Sequence, residues 1–420
     1  MKHPCAFQVH IRRSLARWLQ ACLLLACLLK ASAKAEPFSA STLLSQSEDL
    51  LQRAGIGLLF DLEGYYVDQR PGGLLFRERS FLNPRLSMFL DQKLGDHVYV
   101  FLQGRADRGF DPYSEKMEAR LDEYLVRWTP FAQNQVNLQI GKFVTVVGNW
   151  VGRHDSWNNP FITAPLPYEN ITIITDFKGA ASPRGFLARR DMVETPEIKD
   201  KWLPIIWGPA YTTGASLFGS LSQFDYAVEV KNASISSRPE YWGADSLTWQ
   251  NPTVSARLGW RPTEAWNVGI SFSRGTYLVP EARSTLPAGR DLGDYNQTTL
   301  AYDASYAWHQ WQLWGELFYS RFQVPNVGNA DTTAYYLEAK YKLTAQLFAA
   351  VRWNQQLFAT IQDGQGGHQT WGHNMERVDA SLGYRFNRHL QGKFQYSISH
   401  QNAAWQKGEQ LVAAQLTVKF

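Results

Sequence analysis

The feature that most constrains this chain is a period of two in its hydrophobic pattern, which is clearest in residues 411–420. Counting back from Phe420, every second residue is apolar: Val418, Leu416, Ala414 and Val412. The residues between them are mostly polar: Lys419, Thr417, Gln415 and Ala413. Only a β-strand places alternate side chains on opposite faces. The same alternation predicts strands at residues 223–232, 253–261, 376–386 and 390–399.

The connections between the predicted strands alternate in length along the chain. Short links fall near residues 93–96, 129–134, 219–223, 261–265, 309–310, 343–345 and 387–389. Long links fall near residues 68–84, 107–118, 148–209, 233–251, 275–295, 323–330, 360–373 and 401–408. A membrane barrel requires this alternation, because its short turns lie at one end and its long loops at the other. A sandwich or a propeller does not require it.

The sequence therefore predicts an all-β fold over residues 55–420: a transmembrane antiparallel β-barrel of about sixteen strands. The last strand is expected to pair with the first, near residues 57–67. Closure leaves no unpaired strand edge in lipid, where each unsatisfied backbone group costs several kcal/mol.

Residues 1–35 have the pattern of a cleavable signal peptide. Its basic residues are Lys2, Arg12, Arg13 and Arg17; an apolar stretch follows at 19–29, and small residues stand at Ala31, Ala33 and Ala35. An alternative is a lipoprotein processing site with Cys27 lipidated. All three cysteines lie in this segment, so disulfides and cysteine metal sites are excluded from the mature chain. Residues 36–54 are predicted to form a short amphipathic helix, a periplasmic extension.

Composition excludes a nucleic-acid partner and supports a barrel. Removing residues 1–35 takes away six basic and no acidic residues, so the formal charge falls from +4 to about −2. No mature apolar run reaches the roughly 20 residues that a membrane helix needs. Yet aromatic residues make up 14 % of the chain while mean hydropathy is −0.33. Alternating lipid-facing and lumen-facing residues account for both values.

One connection, residues 148–209, is far longer than an ordinary loop. Seven prolines stiffen its path, and it is rich in aromatic and basic residues. A segment so long and apolar would not remain unsupported in water. We therefore expect part of it to fold into the barrel lumen, between the fifth and sixth strands.

The strand that ends on Phe420 resembles the closing strand of a Gram-negative outer-membrane barrel. Across residues 57–420 the chain resembles the Gram-negative porins. The segments LDEYLVRWTP (121–130) and VNLQIGKFVTVVGNW (136–150) are similar to a strand-turn-strand of the phosphate-selective O/P-type porins. This resemblance implies location in the outer membrane, a loop narrowing the lumen, and an arginine-rich passage. The lumen positions here carry both signs of charge, which favours a transverse field over phosphate selectivity.

Three groups of residues are candidates for a functional site. The lumen wall is predicted to include Arg127, Arg257, Arg352, Arg377, Arg385, Glu229, Asp303 and Glu316. A constriction is predicted from Arg153, His154, Asp155, Lys178, Arg184, Arg189 and Arg190; the alternative is that they tether the loop to wall carboxylates. An aromatic track for sugar rings is predicted from Trp150, Trp157, Phe161 and Tyr168; the alternative is packing within the loop or an outer girdle.

No catalytic function is expected. His154 and Asp155 are adjacent on an extended segment, so they point apart, and no nucleophile elbow accompanies them. The sequence contains no HExxH, CxxC or phosphate-binding glycine loop, so no metal site or cofactor is predicted.

The predicted protein is an outer-membrane channel for diffusion of small hydrophilic solutes. Its expected partners are outer-membrane lipid, lipopolysaccharide and two further copies in a homotrimer. The alternative is a scaffold barrel around a periplasmic partner protein, such as a multihaem cytochrome or an export apparatus. The chain has no CxxCH, so any haem would belong to the partner.

Overall fold

The computed structural model describes residues 53–69, 79–108, 117–191, 202–244, 249–403 and 408–420. Eighteen strands occur in these ranges: β1 (Ile56–Val67), β2 (Ser80–Leu94), β3 (Val98–Asp107), β4 (Glu118–Trp128), β5 (Asn137–Phe143), β6 (Thr212–Leu221), β7 (Phe224–Lys231), β8 (Thr253–Trp260), β9 (Trp266–Thr276), β10 (Asn296–Trp308), β11 (Trp311–Val324), β12 (Gly328–Lys342), β13 (Leu347–Phe358), β14 (Thr360–Gln362), β15 (His368–Thr370), β16 (Met375–Arg385), β17 (Leu390–Gln401) and β18 (Gly408–Lys419).

The helices described are all short. Two are α-helices, α1 (Leu166–Glu169) and α2 (Pro183–Leu187). Single 3-10 turns occur at Val151–Arg153, Ala188–Asp191, Pro239–Tyr241, Pro280–Thr285 and Leu292–Asp294. Among the described residues, no helix is long and apolar enough to cross a membrane.

Sixteen strands form one closed antiparallel barrel, and β14 and β15 form a separate small hairpin within one long loop. Every barrel strand pairs with its nearest barrel neighbours in sequence, and β18 pairs with β1. The closing register runs from Leu59 opposite Lys419 to Val67 opposite Leu411. The prediction of a sixteen-strand barrel sealed by its last strand is confirmed.

Alternation along the strands separates an apolar exterior from a polar interior. In β7, Phe224, Val228 and Val230 are exposed, whereas Glu229 and Lys231 are buried in the lumen. Large aromatic side chains face outward at the end with the short turns: Trp128, Trp260, Trp266, Trp308 and Trp311. Such an exterior, with an aromatic girdle at one rim, is suited to a hydrocarbon environment.

Two predicted long links are shorter than expected. Pro84 is predicted to lie in a loop, but the structure places it inside β2, opposite Leu62 of β1. On its other side β2 pairs with β3 only from Leu86 onward, so the missing N–H of proline removes no ladder hydrogen bond there. The predicted link at 323–330 is a turn of three residues, because β11 continues to Val324 and β12 begins at Gly328.

The end of the barrel with the long loops contains an apolar core. Residues from the long connection after β5 pack there against residues from four other loops. Its buried aromatic members include Phe186, Trp202, Trp207, Trp242, Phe322 and Trp371. This outer apolar cluster fills the loop end on the side of β9–β16.

The chain divides into two units, Met1–Gly55 and Ile56–Phe420. The second unit contains the barrel and all the loops discussed below. The predicted signal peptide, 1–35, lies outside the described residues. So does the predicted extension, 36–54, apart from Arg53 and Ala54.

Candidate functional site

The connection between β5 and β6, residues 144–211, enters the lumen and is called the inner loop here. Its first segment runs along the interior as far as Ala164, α1 follows, and the chain then rises into the outer apolar cluster. Contacts with the inward faces of β11, β12, β13, β16 and β17 hold it in place. The fold prediction of a loop inside the lumen is therefore confirmed.

Two carboxylates of the wall hold the beginning of the inner loop. Glu316 of β11 accepts hydrogen bonds from the backbone N–H groups of Asn149 and Trp150, the latter at 2.8 Å, and from the Tyr168 hydroxyl at 2.6 Å. Arg153 donates to Glu338 of β12 at 2.6 Å and lies over the ring of Trp314. All these carboxylates are buried, so each bond replaces water that the group has lost.

A buried charge network holds the middle of the inner loop. Asp379 of β16 accepts from Arg352 at 2.8 Å and forms an ion pair with Arg377 at 3.1 Å. Arg352 also donates to the carbonyl groups of Thr163 and Ala164 at 3.2 and 3.1 Å. Arg377 pairs with Glu169 of α1. The network therefore joins three elements: β13, β16 and the loop.

Polar side chains of β17 bind the loop backbone. Lys393 donates to three carbonyl groups, those of Ser156, Asn159 and Phe161, at 2.7, 2.9 and 3.2 Å. The Gln395 side chain accepts from Ile162 N–H at 2.6 Å. These bonds satisfy an irregular backbone inside the lumen, where secondary-structure partners are missing.

The opposite wall, β1 to β4, carries paired charges of both signs. Arg85 of β2 forms ion pairs with Asp61, at 3.0 Å, and with Glu63. Arg105 of β3 pairs with Asp107 at 2.7 Å. Arg120 of β4 binds Asp107 and Asp122 at 2.6 and 2.8 Å. The three arginine side chains keep 16, 14 and 20 % of their surface exposed.

A β-bulge in β4 explains why sequence reasoning missed part of this wall. The register shifts between Gln103, which is opposite Glu123, and Gly104, which is opposite Leu121. Asp122 is the extra residue, and both Asp122 and Glu123 are buried in the lumen. Bulges re-aim side chains in this way. Strict alternation places one of two adjacent acids outside, so no simple pattern identifies Asp122, Arg120 and Asp107 together.

Two cavities lie beside the inner loop. The first, of about 940 Å³, extends from β2 to β9 and includes Arg127, Arg257 and residues of the short turns. The second, of about 520 Å³, lies between loop segment 150–164 and β1–β4; Arg85 and Arg105 line it. Val144, Val151 and Gly152 line both cavities. Residues at the short-turn end line each of them, so both reach toward that end.

The predicted constriction residues occupy two separate places. Arg153 is buried against Glu338, and His154 lies between the Val151 carbonyl and the Tyr211 hydroxyl, 2.6 Å from the latter. Asp155 accepts from the backbone N–H groups of Trp157 and Asn158. The other four lie where the loop has left the lumen: Lys178 and Arg184 are exposed, Arg189 lies over Phe186, and Arg190 binds Thr370 of β15. The structure does not bring the seven together.

The predicted aromatic track is likewise divided. Trp150 and Tyr168 pack together with ring centroids 4.6 Å apart, and Phe161 lies under the Arg352 guanidinium. All three are buried. Only Trp157 is partly exposed, between the cations of Arg385 and Lys419. The predicted wall residues all lie at inward positions of their strands; Arg352, Arg377 and Glu316 bind the loop, and Arg127 and Arg257 line a cavity.

Comparison with known proteins identifies the fold. The sequence matches no protein-family model and no curated protein. It is similar in structure to OmpF of Salmonella typhi in complex with daunomycin, with 10 % identity, a TM-score of 0.53, and coverage of 88 % of this chain and 99 % of that chain. The barrel has a porin fold. An anion-selective porin from Comamonas acidovorans gives 10 % identity, a TM-score of 0.52, and coverage of 87 and 98 %. Vibrio cholerae OmpT, folded in vitro and in a trimer form, gives 9 % identity, a TM-score of 0.50, and coverage of 87 % of this chain and 98 % of that chain. These identities are low, so the porin fold is what the chain shares with them.

Asp176, where the inner loop meets the outer apolar cluster, makes stability depend on pH. Burial raises its pKa from 3.8 to about 6, although Arg238, which donates to it at 2.8 Å, lowers it. Because the folded pKa exceeds the unfolded one, its contribution to stability is fully present below about pH 4 and is lost as pH rises through about 6. Each unit by which the two pKa values differ corresponds to about 1.4 kcal/mol of unfolding free energy.

We expect Asp176→Asn to become more stable relative to the natural protein as pH rises from 4 to 7. The measurement is the difference in thermal unfolding midpoint, in detergent, at each pH. A difference that stays constant over this range would show that Asp176 does not titrate there. Asp363→Asn serves as control, because this carboxylate lies in the exposed turn between β14 and β15.

Proposed function

We propose that this protein is an outer-membrane channel through which small hydrophilic solutes diffuse. The observation that carries the proposal is the position of the inner loop inside a closed barrel. The loop is bound to β11–β17, and cavities of about 940 and 520 Å³ remain between it and β1–β9. A passage displaced to one side of the barrel fits this arrangement.

The outer membrane is the environment that suits the barrel. Outward positions carry exposed apolar side chains, inward positions carry buried charges, and aromatic residues collect at the short-turn rim. In bacterial outer-membrane barrels the short turns face the periplasm and the long loops face outward. We assign the two cavities accordingly to the periplasmic half of the lumen.

The path toward the outside follows β3 and β4 in this proposal. On the other side the outer apolar cluster fills the loop end of the barrel. Along β3 and β4, by contrast, the charged inward side chains of Arg105 and Arg120 are partly exposed beside carboxylates. At the loop end of β1 and β2, Tyr65, Val67 and Phe81 form a small buried apolar cluster. A hydrated solute passes charged groups more readily than a dry apolar core. No residue of this path is required to form or break a bond.

Single-channel recording tests the channel directly. The purified barrel, inserted into a planar bilayer in KCl, is expected to give discrete conductance steps. A folded protein, shown to be β-rich by circular dichroism, that inserts without conducting would contradict the proposal. The alternative of a scaffold around a partner protein is less favoured, because the inner loop occupies the lumen space that such a partner would need.

Ion selectivity locates the path within the lumen. In Arg105→Gln, Asp107 and Asp122 lose one cation and keep Arg120, so this stretch gains one negative charge. At about 1 kcal/mol for a nearby charge in a water-filled site, the cation-to-anion permeability ratio should rise roughly fivefold. The measurement is the reversal potential in a KCl gradient.

Arg274→Gln is the matched control for Arg105→Gln. Arg274 is exposed and lies at an outward position of β9, with Phe272 and Ile270. The substitution Arg274→Gln should leave the reversal potential unchanged. Equal reversal potentials for Arg105→Gln and the natural protein would exclude a path along β3 and β4.

A homotrimer is also proposed. Outward positions on β1, β18 and β3 carry the small side chains Gly64, Ala414, Gly104 and Ala106, which would allow a neighbouring barrel to approach closely. One structure with the same fold is described as a trimer. Mass measurement of the protein in detergent tests this oligomeric state.

A further inference from the structure

Three neighbouring strands break the alternation of the barrel at one place. Near the short-turn end, β1 reads Leu58-Leu59-Phe60, β2 reads Met88-Phe89-Leu90 and β3 reads Val100-Phe101-Leu102. The middle residue of each triplet faces the lumen and lines the 520 Å³ cavity. The rings of Phe89 and Phe101 stack with centroids 6.3 Å apart. An apolar patch on the water-facing wall contributes nothing to the lipid-facing surface, so it is a candidate binding surface.

Charged and amide groups adjoin this apolar patch in register. Phe89 lies opposite Gln103 of β3, and Gln103 lies opposite Glu123 of β4, so the three form one row across the wall. In the next row Ser87 lies opposite Arg105. A ring, a carboxylate and a guanidinium are therefore neighbours on one surface, all lining the same cavity.

The cavity lining carries charges of both signs. It includes three cationic side chains and three carboxylates: Arg85, Arg105, Lys419, Asp61, Glu123 and Asp155. Arg85 and Arg105 are held by carboxylates behind them. Glu123 is fixed by accepting the backbone N–H of Val144 at 3.1 Å. Simple anions and simple cations therefore each meet repelling as well as attracting groups.

The inner loop closes the other side of the cavity with Trp157, Ile162 and Trp150. Trp157 is partly exposed, and the Lys419 ammonium lies 5.7 Å from its ring. The enclosed space, about 520 Å³, is within the range of sites that bind small molecules. Trp157 of the loop and Phe89 of the wall both present apolar carbon to this cavity.

We propose that this cavity is a binding subsite for an amphipathic zwitterion, namely a free amino acid with an aromatic or large aliphatic side chain. The α-carboxylate faces Arg105 and Arg85, the α-ammonium faces Glu123, and the side chain rests on Phe89 and Phe101. The subsite rests on the proposed channel function and names a solute class for it. It favours such solutes over equally small sugars, because a sugar has no charges to match the two rows.

Current blockade by a series of solutes tests the subsite. L-phenylalanine is added at the periplasmic side of the reconstituted natural protein, in parallel with glycine, phenylacetate and phenethylamine. Phenylalanine should shorten the open time at concentrations at least tenfold lower than each of the other three, because only it has the ring and both charges. Phe89→Asn should abolish this preference over glycine. Phe218→Asn, in the 940 Å³ cavity, should retain it.

The outcomes separate this inference from the channel function. Blockade by phenylalanine no stronger than by glycine, in a conducting protein, would overturn the subsite and leave the channel intact. Blockade by phenylacetate as strong as by phenylalanine would also overturn it, since the site would then be an anion site. Absence of conductance would count against the channel. Calorimetric titration of the detergent-solubilised barrel with phenylalanine then decides the subsite: binding supports it, and its absence, with glycine as reference, contradicts it.

Discussion

Replacing Asp379 with alanine is expected to release the middle of the inner loop from the wall and to raise the single-channel conductance. Asp379 is fully buried and binds Arg352 and Arg377, the two guanidinium groups that hold Thr163, Ala164 and Glu169 of the loop. Removing one partner from a buried ion network leaves charges unpaired and typically costs about 3–5 kcal/mol.

Two measurements follow this substitution. Conductance steps should become larger and noisier, because a loop no longer fixed to β13 and β16 fluctuates across the passage. The urea midpoint in detergent should fall. Asp379→Asn keeps the shape and one acceptor oxygen, so its conductance and its urea midpoint should lie between those of Asp379→Ala and the natural protein. It supplies a folded variant if Asp379→Ala does not assemble.

The control for Asp379 is an ion pair outside the lumen. Asp331 accepts two hydrogen bonds from Arg321, both at 2.8 Å, but the arginine side chain is 43 % exposed. Exposed pairs contribute about 0–1 kcal/mol. Asp331→Ala should therefore alter neither conductance nor the urea midpoint appreciably. If Asp379→Ala behaved like this control, the carboxylate would not be what holds the loop.

A methyl group added at Gly148 is expected to displace the beginning of the inner loop. The residue has φ of +82°, and a Cβ there would clash with the Tyr168 hydroxyl and lie 2.9 Å from a Glu316 oxygen. Left-handed backbone at a residue with a side chain costs about 1–3 kcal/mol, and the clash adds to it. In Gly148→Ala, the hydrogen bonds that Glu316 accepts from Asn149, Trp150 and Tyr168 should therefore be lost together.

Gly152→Ala isolates the steric effect of this substitution. Four residues further along the same loop, a Cβ at Gly152 meets no atom within 4 Å and the backbone is not left-handed. Protease cleavage of the inner loop in reconstituted vesicles should increase for Gly148→Ala and stay at the natural level for Gly152→Ala. Equal cleavage of the two variants would mean that the loop does not depend on close approach to Glu316.

Much of the fold was predictable because alternate residues of each barrel strand face either the lipid or the lumen. The β7 residues show this directly, since Val228 and Val230 face outward and Glu229 faces the lumen. The inner loop was predictable from length and composition. Its partners were not, because pairs such as Glu169 and Arg377 are separated by 208 positions and any inward residue satisfies the pattern equally well.

The site was less predictable than the fold for two physical reasons. The bulge at Asp122 inserts one residue without changing composition, so the alternation before and after it cannot be phased from sequence alone. The inner loop is also long enough to leave the lumen again. Residues beyond α1, such as Arg184 and Arg190, therefore lie among the outer loops, although Arg153 of the same loop is deep inside.

The seam between β1 and β18 has a consequence for how the protein is made. Across it, Glu63 accepts from Gln415 at 2.6 Å, and Asp61 accepts from Thr417 at 2.7 Å; the first pair is 352 positions apart. Contacts between residues so far apart in the sequence form slowly, because the chain loses conformational entropy before these contacts stabilise the fold. Until these partners meet, both edge strands of the unclosed sheet keep unpaired backbone groups that can associate with other chains. An assembly factor that shields these two edges would therefore act last on β1 and β18.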